Sequence, residues 1–197
     1  MELYDLELSG NCYKVRLFLA LIEQPYTLRP VDFLNGEHKN TESIKRNAFG
    51  EIPVLVDGDL TLRDSQAILI YLARKFARTD WYPTTAADEA KVAQWLMVAE
   101  SEIARGPNDA RLHDKFGFDL DVDAARAKSS RILTILNDHL ADRDWLELDQ
   151  PTIADIACFP YIALSHEGGV SLEPYPEIQS WIDRIKALPN FVSMPAI

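Results

Sequence analysis

The sequence predicts two domains of different class, an α/β domain followed by an all-helical domain. Strand and helix signals alternate over residues 1–77, and strand signals disappear after a linker at residues 78–85. Residues 86–197 carry only the periodicity of amphipathic helices. With 47% hydrophobic residues, the chain has enough apolar side chains to bury a sizeable core.

The first domain has the predicted order β-α-β-α-β-β-α. Its strands are expected at residues 2–8, 26–31, 52–56 and 60–62, and its two longer helices at residues 15–22 and 64–76. Asp57-Gly58-Asp59 carries the Asp-Gly signal of a tight hairpin turn, so the last two strands are antiparallel. With right-handed crossovers in the parallel part, this order gives a four-stranded mixed sheet with helices on both faces.

The second domain shows four segments with apolar residues at helical spacing. These positions are Val92, Trp95, Leu96, Ala99 and Ile103; Ile132, Ile135, Leu136 and His139; Ile153, Ile156, Ala157, Pro160, Tyr161 and Leu164; and Ile178, Trp181, Ile182 and Ile185. Gly106-Pro107 is expected to end the first helix, and Pro176-Glu177 to start the last. Thr152 and Asp155 fit a capping box with a structural role.

The charge and cysteine content exclude several functional classes. With 20 Lys and Arg against 31 Asp and Glu, the net charge of -11 would repel nucleic acid and anionic membranes. Neither a leader segment nor a membrane span is indicated, so we expect a cytoplasmic protein. Cys12 and Cys158 match neither a disulfide framework nor a zinc spacing. We therefore expect a reducing compartment and no metal.

The segment Ser9-Gly10-Asn11-Cys12-Tyr13-Lys14-Val15 joins the first strand to the first helix. Unpaired N–H groups and the positive end of the dipole at a helix N-terminus favour a thiolate over a thiol. Ser and Asn are also common helix caps, so a purely structural interpretation stays open. Cys12 is interpreted as a packing residue, with mixed-disulfide chemistry as the alternative.

Three further segments suggest recognition of a peptide with two charged ends. Pro53 in Glu51-Ile52-Pro53-Val54 leaves the backbone of Ile52 available to a short peptide if the bond is cis, or is an ordinary edge proline. Asp64-Ser65 at a helix N-terminus suits an α-amino-acid end, or simply caps the helix. His38, with Lys39, suits a second carboxylate, or is a surface histidine.

These motifs together resemble those of the cytosolic glutathione transferases, especially bacterial theta-like and nu-like members. The resemblance is carried by residues 9–15, Val31-Asp32 with 36–39, Ile52-Pro53-Val54-Leu55 and residues 64–72. The box at 152–157 extends it into the helical domain, so it covers nearly the whole chain. It implies a thioredoxin-like first domain, residues 1–77, and a helical domain, residues 86–197, that contributes the second-substrate pocket.

The resemblance also implies a role for each matched residue. Ser9 donates a hydrogen bond to the glutathione sulfur, and Asn11 resembles the nu-like asparagine that adds a second one. Ile52, next to Pro53, pairs with the cysteinyl unit through its backbone. Asp64 and Ser65 hold the γ-glutamyl end, and His38 meets the glycyl carboxylate. The family usually has Glu or Gln where this chain has Asp64.

The function expected from the resemblance is attack of the glutathione thiolate on a small hydrophobic electrophile, a detoxification reaction with glutathione as co-substrate and no metal. Two alternatives stay open: glutathione-dependent reduction of disulfides or peroxides, and a non-catalytic binding or dimerisation module. The resemblance further implies a symmetric homodimer. Arg105 and Arg111 are left without an assigned role.

Overall fold

The computed structural model describes all 197 residues, and they form two compact units. The first unit comprises residues 1–77 together with 189–195, and the second comprises residues 78–188 with 196–197. Sequence periodicity gave no sign that residues 189–195 belong with the first unit. None of the helices combines the length and the apolar character that crossing a membrane requires.

The first unit is built on a four-stranded mixed sheet, as predicted. Its strands are β1 (Glu2–Asp5), β2 (Thr27–Pro30), β3 (Val54–Asp57) and β4 (Leu60–Arg63), in the spatial order β2-β1-β3-β4. β1 pairs with β2 in parallel, whereas β3 is antiparallel to both β1 and β4. Gly58, at φ +60°, supplies the left-handed residue that the β3–β4 turn needs.

Three helices complete the first unit: α1 (Gly10–Leu21), α2 (Thr41–Arg46) and α3 (Ser65–Lys75). Helices α1 and α3 both bury apolar side chains in the core. Those with no exposed surface are Cys12, Tyr13, Val15, Leu17, Phe18, Leu19, Ile68, Leu69 and Leu72. The thioredoxin-like class predicted from the sequence is confirmed.

The register of the strands brings four loops to one end of the sheet. Asp5 at the end of β1 lies beside Pro30 at the end of β2, while Val54 at the start of β3 lies beside Tyr4 and Arg63. β1, β2 and β4 therefore end where β3 begins. We call this the site end of the sheet.

β1 is shorter than predicted because residues 6–8 bond to helix α1 and to their own turn instead of extending the strand. Arg16 donates to the carbonyls of Leu6 and Glu7, and Ser9 N–H donates to Leu6 O at 3.0 Å. These contacts turn the chain from the sheet into α1 within a few residues.

Residues 189–195 are held against the first unit by helix α1. The Tyr13 hydroxyl donates to the carbonyl of Val192 at 2.7 Å, and Met194 is 4% exposed. Burial raises the pKa of the Tyr13 hydroxyl well above its ordinary value, so Tyr13 stays a neutral donor.

The second unit is all-helical, as predicted. Its helices are α4 (Ala86–Val98), α5 (Asp109–Phe116), α6 (Val122–His139), α7 (Ile153–Ala163) and α8 (Pro176–Lys186). The predicted apolar faces of α7 and α8 are buried around Phe159 and Trp181, whose rings meet edge to face at 6.2 Å. Ile135 departs from the predicted apolar face of α6, because 46% of its surface is exposed.

The prediction that Gly106-Pro107 ends the first helix of this unit was wrong. The chain continues from α4 through a π-helical segment at Ala99–Asn108 into α5. Proline lacks an N–H and clashes with the carbonyl four residues earlier, and the wider π turn relieves both constraints. The helical stretch ends at Gly117, whose φ of +72° is a left-handed C-cap.

The capping box at the start of α7 is present and lies at the centre of a larger network. The carboxylate of Asp155 accepts from the N–H and hydroxyl of Thr152 at 2.8 and 3.2 Å, from Leu146 N–H at 3.0 Å and from the Trp181 indole at 2.9 Å. Asp155 has no exposed surface. One carboxylate thus joins the loop before α7 to helix α8.

We predict that Asp155→Ala destabilises the protein by about 3 to 5 kcal/mol, because it leaves several buried donors without an acceptor. Urea unfolding followed by tryptophan fluorescence measures this loss. Asp142→Ala is the matched control: Asp142 is 77% exposed, so its loss should cost less than about 0.5 kcal/mol. Equal stability of the two variants would contradict a structural role for the network.

Candidate active site

Ser9 caps helix α1 at the site end of the sheet. Its backbone is extended and its Oγ accepts from Cys12 N–H at 3.3 Å. The capping interpretation is therefore correct, but it does not exclude a ligand role. A hydroxyl oxygen that accepts in a cap still carries a proton to donate. Ser9 thus combines a cap with a donor at a helix N-terminus.

Asn11 lies in the first turn of α1 and has a buried partner that the sequence analysis did not consider. The ammonium group of Lys14, which has no exposed surface, donates to Asn11 Oδ1 at 2.8 Å. This contact orients the side chain, because it fixes which end of the amide carries the oxygen and which carries the N–H donors. The i, i+3 spacing of the two residues on a helix was the available signal.

Cys12 is fully buried in helix α1. Burial raises the pKa of the Cys12 thiol to about 12, with Asp5 adding to the rise and Ser9 opposing it. Leu6 N–H donates to its sulfur at 3.4 Å. The packing interpretation of Cys12 fits these observations better than mixed-disulfide chemistry does.

The Ile52–Pro53 peptide bond is cis and lies directly before β3. The preceding loop is fixed by Asn47, whose side chain donates to Glu51 O at 2.8 Å and accepts from Phe49 N–H at 3.0 Å. Ile52 itself lies outside the β3 ladder. Its backbone is therefore available for pairing with an extended ligand.

His38 lies in a 3-10 turn at Glu37–Lys39, beyond the end of β2. Its ring stacks on Phe33 with centroids 3.8 Å apart, and only 8% of the residue is exposed. Nδ1 is buried without a hydrogen-bond partner. Burial, with a smaller effect from Lys39, lowers the pKa of His38 below its ordinary value, so the ring is neutral at pH 7.

Gly50 ties the His38 turn to the loop before Ile52. Its φ is +62°, and a Cβ at this position would lie 3.3 Å from the carbonyl oxygen of His38 and 3.2 Å from Ile44. Only glycine meets both demands without displacing its neighbours. Phe33 and Gly50 are positioning residues that the sequence analysis missed, because neither carries a local signal.

Asp64 caps helix α3 directly after β4. Its Oδ1 accepts from the N–H groups of Gln66 and Ala67, each at 3.0 Å. Asp64 has φ +72°, a strained conformation for a residue other than glycine. Its second oxygen, Oδ2, takes no part in these two bonds, so the carboxylate retains an acceptor.

Ser65 and Gln66 follow Asp64 as a buried pair, 2% and 3% exposed. The Ser65 hydroxyl donates to Gln66 Oε1, and Gln66 Nε2 is buried without a partner. The sequence indicates only that Gln66 belongs to the helix. The structure adds it to the polar groups at this terminus.

Strand register places three of the predicted segments at the site end of the sheet: Ser9 and Asn11 after β1, Ile52 and Pro53 before β3, and Asp64 and Ser65 after β4. Gly50 links the turn that contains His38 to the loop before Ile52. Arg111 is buried and bonds to Glu167 at 2.5 Å within the helical unit. No cluster of metal ligands is present.

Comparison with known proteins gives consistent matches over both units. Residues 3–80 match the family model described as glutathione S-transferase, N-terminal domain, and residues 112–189 match that of the C-terminal domain. The chain is 30% identical to glutathione S-transferase 3 of Zea mays, covering 97% of this chain and 91% of the maize protein.

Solved structures agree. A glutathione S-transferase from Pseudomonas fluorescens superposes with a TM-score of 0.93 at 29% identity, covering 98% of both chains. A glutathione transferase from Burkholderia graminis, solved with two glutathione molecules bound per subunit, has a TM-score of 0.85 at 29% identity. That match covers 96% of this chain and 84% of the other.

We predict that neither cysteine reacts with a thiol reagent in the native protein, because Cys12 and Cys158 have no exposed surface. Both should react after denaturation, as measured by the absorbance of the released chromophore. Stoichiometric labelling of Cys12 in the folded protein would contradict the packing interpretation.

Proposed function

Because the chain belongs to the glutathione S-transferase family and is a glutathione transferase, we propose that its first unit binds glutathione and activates the thiol as a thiolate. The thiolate then attacks an electrophilic carbon of a small hydrophobic substrate. The observation that carries this proposal is the Ser9 hydroxyl at the N-terminus of helix α1. On this basis we assign the chain to the serine-type, theta-like transferases.

Ser9 acts by hydrogen bonding and not as a base, since a serine proton is far harder to remove than that of a thiol with a pKa of about 8.5. One charge-assisted hydrogen bond contributes about 1.5 to 3 kcal/mol, and a helix end about 0.3 to 1 kcal/mol. Together they lower the pKa of the bound thiol by about one to three units. Thiolate is then abundant at pH 7.

The remaining polar groups match the other parts of glutathione. Oδ2 of Asp64 and the Ser65 hydroxyl suit the ammonium and carboxylate groups of the γ-glutamyl end. The backbone of Ile52 suits the cysteinyl unit. A neutral His38, which donates one N–H, suits the glycyl carboxylate. Asp64 is shorter than the glutamate usual in the family, so it holds the ammonium group close to the start of α3.

Reduction of disulfides or peroxides is the second candidate, and the Lys14–Asn11 contact favours it. A cation on the amide oxygen makes the Asn11 amide nitrogen a stronger donor to sulfur. Glutathione would supply the electrons, since Cys12 is buried. The non-catalytic module is not retained, because curated relatives such as the maize protein are named glutathione S-transferases.

The wider proposal covers assembly, compartment and the second substrate. Ile135, 46% exposed, lines a groove of about 380 Å³ in the helical unit, and we assign this face to a homodimer. Both cysteines are buried free thiols, which fits a reducing cytoplasm. In that compartment, conjugation to glutathione would detoxify electrophiles. The helical unit supplies the pocket for the second substrate.

Light scattering measures the number of subunits and so tests the proposed homodimer.

A glutathione-dependent activity panel tests the proposal directly. It compares aryl halides, epoxides, hydroperoxides and mixed disulfides under one set of conditions. Turnover of the carbon electrophiles supports conjugation, whereas activity confined to disulfides or hydroperoxides favours the second candidate. Failure to bind glutathione would overturn both.

We predict that Ser9→Ala raises the pKa of the bound glutathione thiol by about one to two units while changing glutathione affinity less than about threefold. The ultraviolet absorbance of the thiolate, titrated in the complex, gives the pKa. Ser9→Thr keeps both the hydroxyl and the cap, so it should retain the low pKa. An unchanged pKa in Ser9→Ala would remove Ser9 from thiol activation.

We predict that His38→Ala weakens glutathione binding about tenfold, the loss of one hydrogen bond to a charged group, but leaves binding of γ-glutamylcysteine unchanged. The dipeptide lacks the glycyl carboxylate that His38 is proposed to meet. Calorimetry on both ligands measures the difference. His166→Ala, an exposed histidine in the helical unit, serves as the control. Equal losses with both ligands would assign His38 a structural role.

A further inference from the structure

The hydroxyl of Ser65 is committed to a neighbouring side chain in this structure. It donates to Gln66 Oε1, while Gln66 Nε2 is buried without an acceptor. A hydroxyl group has only one proton, so a serine that donates to Gln66 has none for a ligand. The arrangement therefore carries an unsatisfied donor and withholds the proton that an anion at this terminus would need.

A half-turn of the Gln66 amide removes this conflict. It exchanges Oε1 and Nε2 with almost no change in shape, so the packing around the buried side chain is kept. Nε2 then donates to Ser65 Oγ, and the hydroxyl proton is released to another acceptor. The atom left without a partner becomes a carbonyl oxygen, which proteins tolerate better than an orphaned N–H.

The backbone donors at this terminus make the hydroxyl proton important. The N–H groups of Gln66 and Ala67 are both taken by Asp64 Oδ1 at 3.0 Å. Of the first three N–H groups of α3, this leaves only that of Ser65, so an anion there gains a second donor only from the Ser65 hydroxyl. The orientation of the Gln66 amide therefore decides whether the Ser65 hydroxyl can donate to the anion.

We propose that Gln66 is a positioning residue that sets the direction of the Ser65 hydroxyl, and that binding of the γ-glutamyl carboxylate selects the amide orientation in which Nε2 donates to Ser65 Oγ. This inference rests on the proposed function, because it takes glutathione as the ligand. Gln66 acts through Ser65 and does not itself touch the carboxylate.

Two substitutions of similar size separate this role from packing. Gln66→Glu places an acceptor against the hydroxyl in either orientation and keeps its proton, so we expect glutathione affinity to fall at least tenfold. Gln66→Met offers neither donor nor acceptor and leaves the hydroxyl free to turn, so affinity should stay within about threefold of the original protein. Calorimetry with glutathione measures both.

A double-mutant cycle with Ser65→Ala removes the effect of added charge. In the Ser65→Ala background, the carboxylate introduced by Gln66→Glu still repels the carboxylate of the ligand. It can no longer accept a proton from the serine hydroxyl, because that hydroxyl is absent. We therefore expect Gln66→Glu to cost at least threefold less affinity in the Ser65→Ala background. A glutathione analogue lacking the γ-glutamyl α-carboxylate should bind Gln66→Glu and the original protein equally.

A measurement on the unsubstituted protein covers the case in which a variant fails to fold. The side-chain amide of Gln66, labelled with nitrogen-15, should shift and become protected from hydrogen exchange when glutathione binds, because Nε2 gains an acceptor. No change on saturation with glutathione would overturn the proposal.

The outcomes distinguish this inference from the proposed function. If the original protein does not bind glutathione, the proposed function fails. If it binds, but Gln66→Glu and Gln66→Met lose equal affinity or the loss is the same without the Ser65 hydroxyl, only the role of Gln66 is overturned.

Discussion

The antiparallel pairing of β3 with both of its neighbours is the constraint on which the candidate site depends. It makes β3 begin where β1, β2 and β4 end, so one loop that enters a strand meets three loops that leave strands. Two of the departing loops lead directly into helices, at Ser9 and at Asp64. Helix N-termini, which attract negative charge, are thereby gathered beside the loop containing Ile52.

The capping residues serve the fold and the ligand with different atoms. Ser9 uses its hydroxyl oxygen as an acceptor in the cap, and Asp64 uses Oδ1. The hydroxyl proton of the first and Oδ2 of the second are not consumed in this way. Asp64 makes its cap bonds from a strained backbone conformation, at φ +72°. Capping and recognition are thus compatible at both helices.

Local chemistry explains which features the sequence predicted. The Asp57-Gly58 turn, the Thr152–Asp155 box and Pro176 at the start of α8 depend on neighbouring residues, and each is present. The four site segments were found because they carry motifs. The prediction that the helix ends at Pro107 was wrong because the sequence alone does not show that a π-helical turn accommodates this proline. Phe33, Gly50 and Gln66 were missed because their roles depend on contacts that only the folded chain creates. Lys14 was missed although its i, i+3 spacing from Asn11 was available.

The bond from Tyr13 to Val192 has a consequence for the order of synthesis. Residues 189–195 follow the entire helical unit along the chain, yet they pack with the first unit, next to the helix that Ser9 caps. The first 77 residues therefore leave the ribosome before residues 189–195, with which they pack, have been synthesised. Final consolidation of the unit that carries the candidate site must wait for the helical unit to be translated, although chains commonly fold from their N-terminus onwards.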